Sequence, residues 1–95
     1  MHEISAAHGI IRAVIEECGR RGLARASAFR VSVNALDGLS PENVVHWIEF
    51  MGRGTRLEGA RVEIRVFRDG EPGCPAPGDM RLDTLEGEMN EPEVT

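Results

Sequence analysis

Two stretches of strict alternation, held apart by one amphipathic helix, limit what this chain can become. In residues 27–35, Phe29, Val31, Val33 and Ala35 fall on one face and Arg30, Ser32 and Asn34 on the other. In residues 60–68, Val62, Ile64 and Val66 point inward, and Arg61, Glu63 and Arg65 point outward. Period-two alternation of this kind is the mark of a half-buried strand. Between the two lies Leu39-Ser40-Pro41-Glu42, a helix start with Ser40 as N-cap, Pro41 at the first helical position and Glu42 at the positive end of the dipole. Leu39 is placed to staple onto the first turn. Val44, Trp47, Ile48 and Met51 give that helix its buried stripe, with Val45 and Phe50 beside it, and Gly52 and Gly54 end it. Strands joined through a helix run parallel, by a right-handed crossover.

The flanking segments complete the layer. Residues 4–21 read as an amphipathic helix, with Ile4, Ala7, Ile11, Val14, Ile15 and Cys18 at the helical period. Gly22 stops it, after Arg20 and Arg21, whose charges suit a helix end. The run from Asp69 to Gly78 is rich in Pro and Gly and reads as a loop. Met80, Leu82 and Leu85 suffice for a short last strand, antiparallel to the one before the loop. The economical architecture is two-layer α+β, with two helices on one face of a small three-stranded mixed sheet. Periodicity leaves the strand order open. One domain is expected over residues 1–89, followed by an acidic tail at 90–95.

A chain of 95 residues has one core, and this one carries a net charge of −5, with a basic set made only of arginine. That balance argues against nucleic acid, which needs a basic face. No apolar run approaches the ~18–20 residues of a membrane span, and the opening residues lack the basic and apolar regions of a secretion signal. The expected location is the cytoplasm. Cys18 and Cys74 form no Cys-x-x-Cys pair, so neither a disulfide framework nor a cysteine zinc site is expected.

No nucleophile–base constellation stands out, and Gly52-Arg53-Gly54 follows a helix, the wrong context for a phosphate loop. Nothing here reads as an enzyme. His8, between Ile4 and Ile11 on the first helix, reads as a core-edge histidine, and His46 as a partly exposed packing residue. Trp47 reads as core, Cys18 as a small buried hydrophobe, and Cys74 as a lone thiol in an exposed loop. The unusual chemistry is the opening Met1-His2-Glu3. A bulky second residue leaves Met1 in place. Its α-amine, the amide nitrogen of His2 and the His2 imidazole then form fused chelate rings around one ion. The amide of Glu3, or a carbonyl oxygen, completes a square plane that suits Ni(II) or Cu(II). The same three residues are also simply one way for a chain to start.

The opening Met-His-Glu-Ile-Ser, the helix start at 39–42, Gly54-Thr-Arg-Leu-Glu-Gly-Ala60 before an alternating strand, and Gly78-Asp-Met-Arg-Leu-Asp-Thr-Leu-Glu86 together resemble the HypA/HybF nickel-incorporation proteins. The resemblance covers residues 1–68 and roughly 78–89. It implies a nickel metallochaperone for maturation of [NiFe] hydrogenase, sometimes of urease, with Met1, His2 and Glu3 holding the metal. It also implies two partners, the maturation GTPase HypB and the hydrogenase large subunit. One departure is large. The family inserts a zinc ribbon with two Cys-x-x-Cys pairs before its last strand, whereas residues 69–79 stand there in this chain, so zinc is not expected. Monomer and weak homodimer both stay open, since an edge strand is free to pair. The alternative is a degenerate paralogue, a protein-interaction module without a physiological metal.

Overall fold

Gly22 is the point at which a helix turns directly into a strand, because its left-handed backbone (φ 68°) returns its amide to the last helical carbonyls of Cys18 and Gly19. The computed structural model describes residues 2–90. Met1 and the tail beyond Asn90 lie outside the described residues. The elements are α1 (Glu3–Arg21), β1 (Leu23–Asn34), a single 3-10 turn (Ala35–Asp37), α2 (Pro41–Met51), β2 (Arg61–Phe67) and β3 (Met80–Met89). The expected α+β layer is the observed one. Ser40 caps α2 by accepting from the Asn43 amide.

The sheet order is β2-β1-β3. β1 pairs parallel with β2, from Ala28 opposite Arg61 to Asn34 opposite Phe67. β1 pairs antiparallel with β3, from Leu23 opposite Met89 to Val33 opposite Met80. The expected parallel crossover is therefore present. The last two strands, by contrast, do not form a hairpin, because β1 lies between them. β3 is also a full ten residues rather than short. Its apolar residues fit no single alternation because the ladder shifts between Arg30 and Val31, skipping Asp83. That shift lets Leu82 and Leu85, three residues apart, both pack on the core. Gly87 is required by a close approach: a Cβ there would stand 2.2 Å from the Arg25 carbonyl oxygen.

α1 and α2 pack on each other and on one face of the sheet, with Ala6, Ala7, Ile10, Ile11, Val14, Cys18, Val44, Ile48, Phe29, Val31 and Val33 buried between the layers. The buried arc of α1 is turned toward Ala6 and Ile10. Ile4, assigned to the stripe from its spacing, is 49% exposed at the margin of that arc, and His8 beside it is exposed rather than core-edge. Ala35 leaves the strand for the 3-10 turn and is exposed. Val66, near the end of an edge strand, is 46% exposed rather than inward.

The polar face of β1 departs furthest from expectation. Ser32 and Asn34 are 0% and 1% exposed. With β2 and β3 on opposite sides of β1, the chain between them must cross the end of β1, and it crosses over Asn34. The Asn34 amide donates to Asp69 Oδ1 at 2.9 Å and to the Pro75 carbonyl at 3.0 Å, and its oxygen accepts from the Leu36 amide at 2.8 Å. Asp37 Oδ1 holds the exit of the same crossing by accepting from the Gly78 amide at 2.8 Å. Ser32 donates to Asp83, which also accepts from Arg81 Nε at 2.6 Å. Burial acts to raise the Asp83 pKa, but the Ser32 hydroxyl and the Arg81 guanidinium outweigh it and hold the carboxyl below its usual value.

Asn34→Ala leaves a buried carbonyl and an amide without partners. Urea unfolding is expected to register a loss of about 2–4 kcal/mol, with faster hydrogen exchange over residues 69–78. Asp83 has a folded pKa below its unfolded one, so its charge stabilises fully above about pH 5 and less as pH falls through the folded value. The stability gap between the wild type and Asp83→Asn is expected to be constant near neutrality and to close in acid.

Candidate metal centre

α1 begins at Glu3, and His2 is its N-cap residue, with extended backbone (φ −83°, ψ 145°) and no side-chain cap bond. The first helical bond recorded runs from the Ala6 amide to the His2 carbonyl at 2.9 Å. An α-helix leaves its first four N–H groups outside the ladder, and here these include His2 and Glu3. The backbone nitrogens a terminal chelate needs are thus free of helical bonds. The His2 side chain is exposed, and that of Glu3 is partly so.

The start of α1 lies against the first turns of α2. His2, Glu3, Ile4, Asn43 and Trp47 line an open cleft of about 260 Å³ there. Trp47 meets the rings of His46 (5.7 Å) and Phe50 (5.9 Å) edge-on, and the Arg53 guanidinium sits 5.4 Å from the Phe50 ring centre. Trp47 is half-buried rather than core, and Phe50 is 55% exposed. The result is an exposed apolar strip, Ile4–Trp47–Phe50, bordering the terminus. A larger cleft, about 450 Å³, lies elsewhere, between Gly9, Ile10 and Ala13 of α1 and the segment from Pro75 to Leu82. Its lining includes no residue of the terminus.

Of the expected metal residues, His2 and Glu3 are adjacent at one helix start, and Met1 falls outside the described residues. Among the described residues no three His, Cys, Asp or Glu side chains converge. A metal held at this terminus would need backbone donors beside the His2 imidazole. Cys18 is fully buried in α1, and burial raises its pKa. Cys74 is half-buried rather than exposed, its thiol 3.2 Å from the Pro75 carbonyl. Burial first, then the charges of Asp69 and Glu71, push that thiol up as well. The strip beside the terminus was missed in the sequence because Ile4, Trp47 and Phe50 all read as helix-stripe or stripe-flanking residues. The signal available was an apolar arc on α2 wider than one sheet edge can cover.

Together these features define a small α+β module with backbone amides left outside the helical ladder at the start of its first helix. No family model matches the chain. It is 36% identical over 88 residues to the hydrogenase maturation factor HypA of Deinococcus radiodurans, covering 92% of this chain and 72% of the relative. To the HypA of Methanopyrus kandleri it is 32% identical over 68 residues, covering 72% of this chain but only 48%, about half, of the relative's length. Its fold is similar to the solution structure of the Ni metallochaperone HypA from Helicobacter pylori, with a TM-score of 0.77 at 14% identity, over 95% of this chain and all of that one. The chain belongs to the hydrogenase maturation factor HypA family.

The two thiols give a direct check on the packing. A disulfide-exchange reagent is expected to modify Cys74 slowly, with a rate that climbs only in alkaline solution. Cys18 is expected to react only on unfolding. Rapid labelling of two thiols in the native protein contradicts this arrangement.

Proposed function

We propose that this chain carries Ni(II) to the maturation of [NiFe] hydrogenase, binding it through its amino terminus. The Met1 amine, the His2 amide and imidazole, and the Glu3 amide or a carbonyl oxygen supply a square plane. One observation carries the reading: the amides of His2 and Glu3 stand outside the helical ladder beside an exposed imidazole. Metal binding there breaks no helical bond. The positive end of a helix opposes a bare cation, but each deprotonated amide removes one unit of the charge of Ni(II), and with both the His2 and Glu3 amides bound the chelate is neutral. Such a site works by transient chelation and ligand exchange, not by catalysis. Its partners are a maturation GTPase of the HypB kind and the hydrogenase large subunit. A resident zinc is not part of this proposal. Residues 69–79 take the place of the zinc ribbon, Cys18 is enclosed in α1, and Cys74 faces backbone carbonyls.

The exposed Ile4–Trp47–Phe50 strip supports a second reading, a protein-interaction module that needs no metal. Aromatic residues in an exposed apolar patch are typical anchors of protein contacts.

Calorimetric titration of untagged protein with nickel separates the two. His2→Ala, and protein extended at the amino terminus, are expected to bind nickel at least about tenfold more weakly, or 1.4 kcal/mol. Affinity is expected to fall as pH drops below neutrality, because the amine and imidazole must lose protons to bind. Trp47, in the same cleft as His2, is expected to lose emission as the metal binds. Equal affinity in all three proteins overturns the nickel reading. Partner capture indifferent to nickel and to His2→Ala favours the interaction module.

A further inference from the structure

We propose that the cleft between the start of β1 and the loop after α2 is a docking site for an acidic protein segment, whose carboxylates are held by Arg25 and Arg56. Ala24, Arg25, Gly54, Thr55, Arg56 and Glu58 line this open cleft of about 300 Å³. The two arginines enter it from different segments, and each is tied to the other's. Arg25 Nη2 donates to the Glu58 carbonyl at 3.1 Å, and Arg56 Nη1 donates to the Leu23 carbonyl at 3.2 Å. Both residues are exposed. The ion pairs among the described residues engage Arg20, Arg21, Arg30 and Arg81, and none engages Arg25 or Arg56. That holds even though Glu88 lies opposite Arg25 in the β1–β3 ladder. A guanidinium carries several N–H donors, so each of the two keeps donors for a ligand after its one backbone bond.

The loop that carries Arg56 is fixed at several points. Leu57 is buried in the core. The Arg56 carbonyl accepts from the Ala26 amide at 2.8 Å, which ties the loop to β1. Thr55 Oγ1 donates to the Gly52 carbonyl at 2.6 Å and accepts from the Leu57 amide at 3.1 Å, closing the turn around Gly54. Two guanidinium groups oriented by backbone bonds lose less freedom on meeting a carboxylate than unanchored surface arginines do. Their planar forks match carboxylate oxygens, and such charge-assisted bonds are roughly twice as strong as neutral ones. The charge balance selects the partner. Two arginines against one glutamate leave the cleft positive, in a chain whose net charge is −5. A long polyanion such as nucleic acid meets the repulsion of the whole chain, whereas a short acidic segment meets only the cleft. Two forks anchored on separate segments also suit carboxylates spaced along an extended chain better than one compact phosphate.

Fluorescence anisotropy of labelled octaglutamate, titrated with the full chain at low ionic strength, tests the proposal. Saturable binding is expected, weakening as salt is added. Arg25→Gln and Arg56→Gln are each expected to weaken it, and together by at least about tenfold. Arg12→Gln with Arg68→Gln removes the same charge elsewhere and is expected to leave the affinity within about twofold. Arg25→Lys with Arg56→Lys keeps the charge without the fork and is expected to fall between the wild type and the double Gln variant. Circular dichroism checks the fold of every variant, and the single Gln and paired Lys variants carry the test if the double Gln variant does not fold. A wild type that does not bind the peptide overturns the proposal. So does an equal loss in the Arg12 and Arg68 control, or displacement of the peptide by inorganic phosphate at lower concentration than by unlabelled octaglutamate. None of these readouts involves nickel, so they stand apart from the test of the metal site.

Discussion

The crossing held by Asn34 is the contact on which the rest of this structure depends. A parallel β1–α2–β2 unit places β2 on one side of β1. The remaining chain must then reach the other side of β1 to complete the sheet. Residues 68–79 make that passage over the end of β1 as a chain of short turns, with Glu71, Cys74 and Asp79 amides returning to Arg68, Glu71 and Ala76 carbonyls. Turns alone do not fix where such a segment lies. Asn34 fixes it by using its amide and its carbonyl together, and Asp37 clamps the exit at Gly78. A polar side chain uses both of its N–H donors on the crossing segment, and a loop becomes part of the fold.

That crossing also separates two regions along α1. The segment 68–79 faces Gly9, Ile10 and Ala13 in the middle of α1 across the cleft of about 450 Å³. The start of α1 is left to meet α2 alone, where His2 and Glu3 share a cleft with Asn43 and Trp47. The first turn of a helix is where backbone nitrogens lack helical partners, and here an apolar strip borders it. Backbone amides outside the helical ladder and an apolar strip are thereby brought side by side.

Much of this was legible in the residues. The two alternating segments, the Ser40–Pro41 helix start and the Gly22 stop each carry a local physical cause, and each stands where that cause puts it. Met1-His2-Glu3 could be put forward as a chelate from the sequence because its donors are consecutive along the chain. Other features were not legible, for reasons that are equally physical. Alternation assigns a residue to a face but says nothing about what covers that face, so Ser32 and Asn34 read as solvent-facing. A ladder shift breaks the period it interrupts, so β3 looked short. Ile4 and His8 fall on the margin of the α1 stripe, and only the position of α2 decides that the margin is open.

The sequence by itself determined the elements, their order, the parallel crossover and the donor-rich terminus, because each follows from interactions among residues close along the chain. Only the tertiary structure decided that β1 is central, that the chain after β2 crosses over Asn34, and that Ile4, Trp47 and Phe50 form one exposed strip. Those outcomes rest on contacts between segments tens of residues apart, and pairing across such distances leaves no period in the sequence to read.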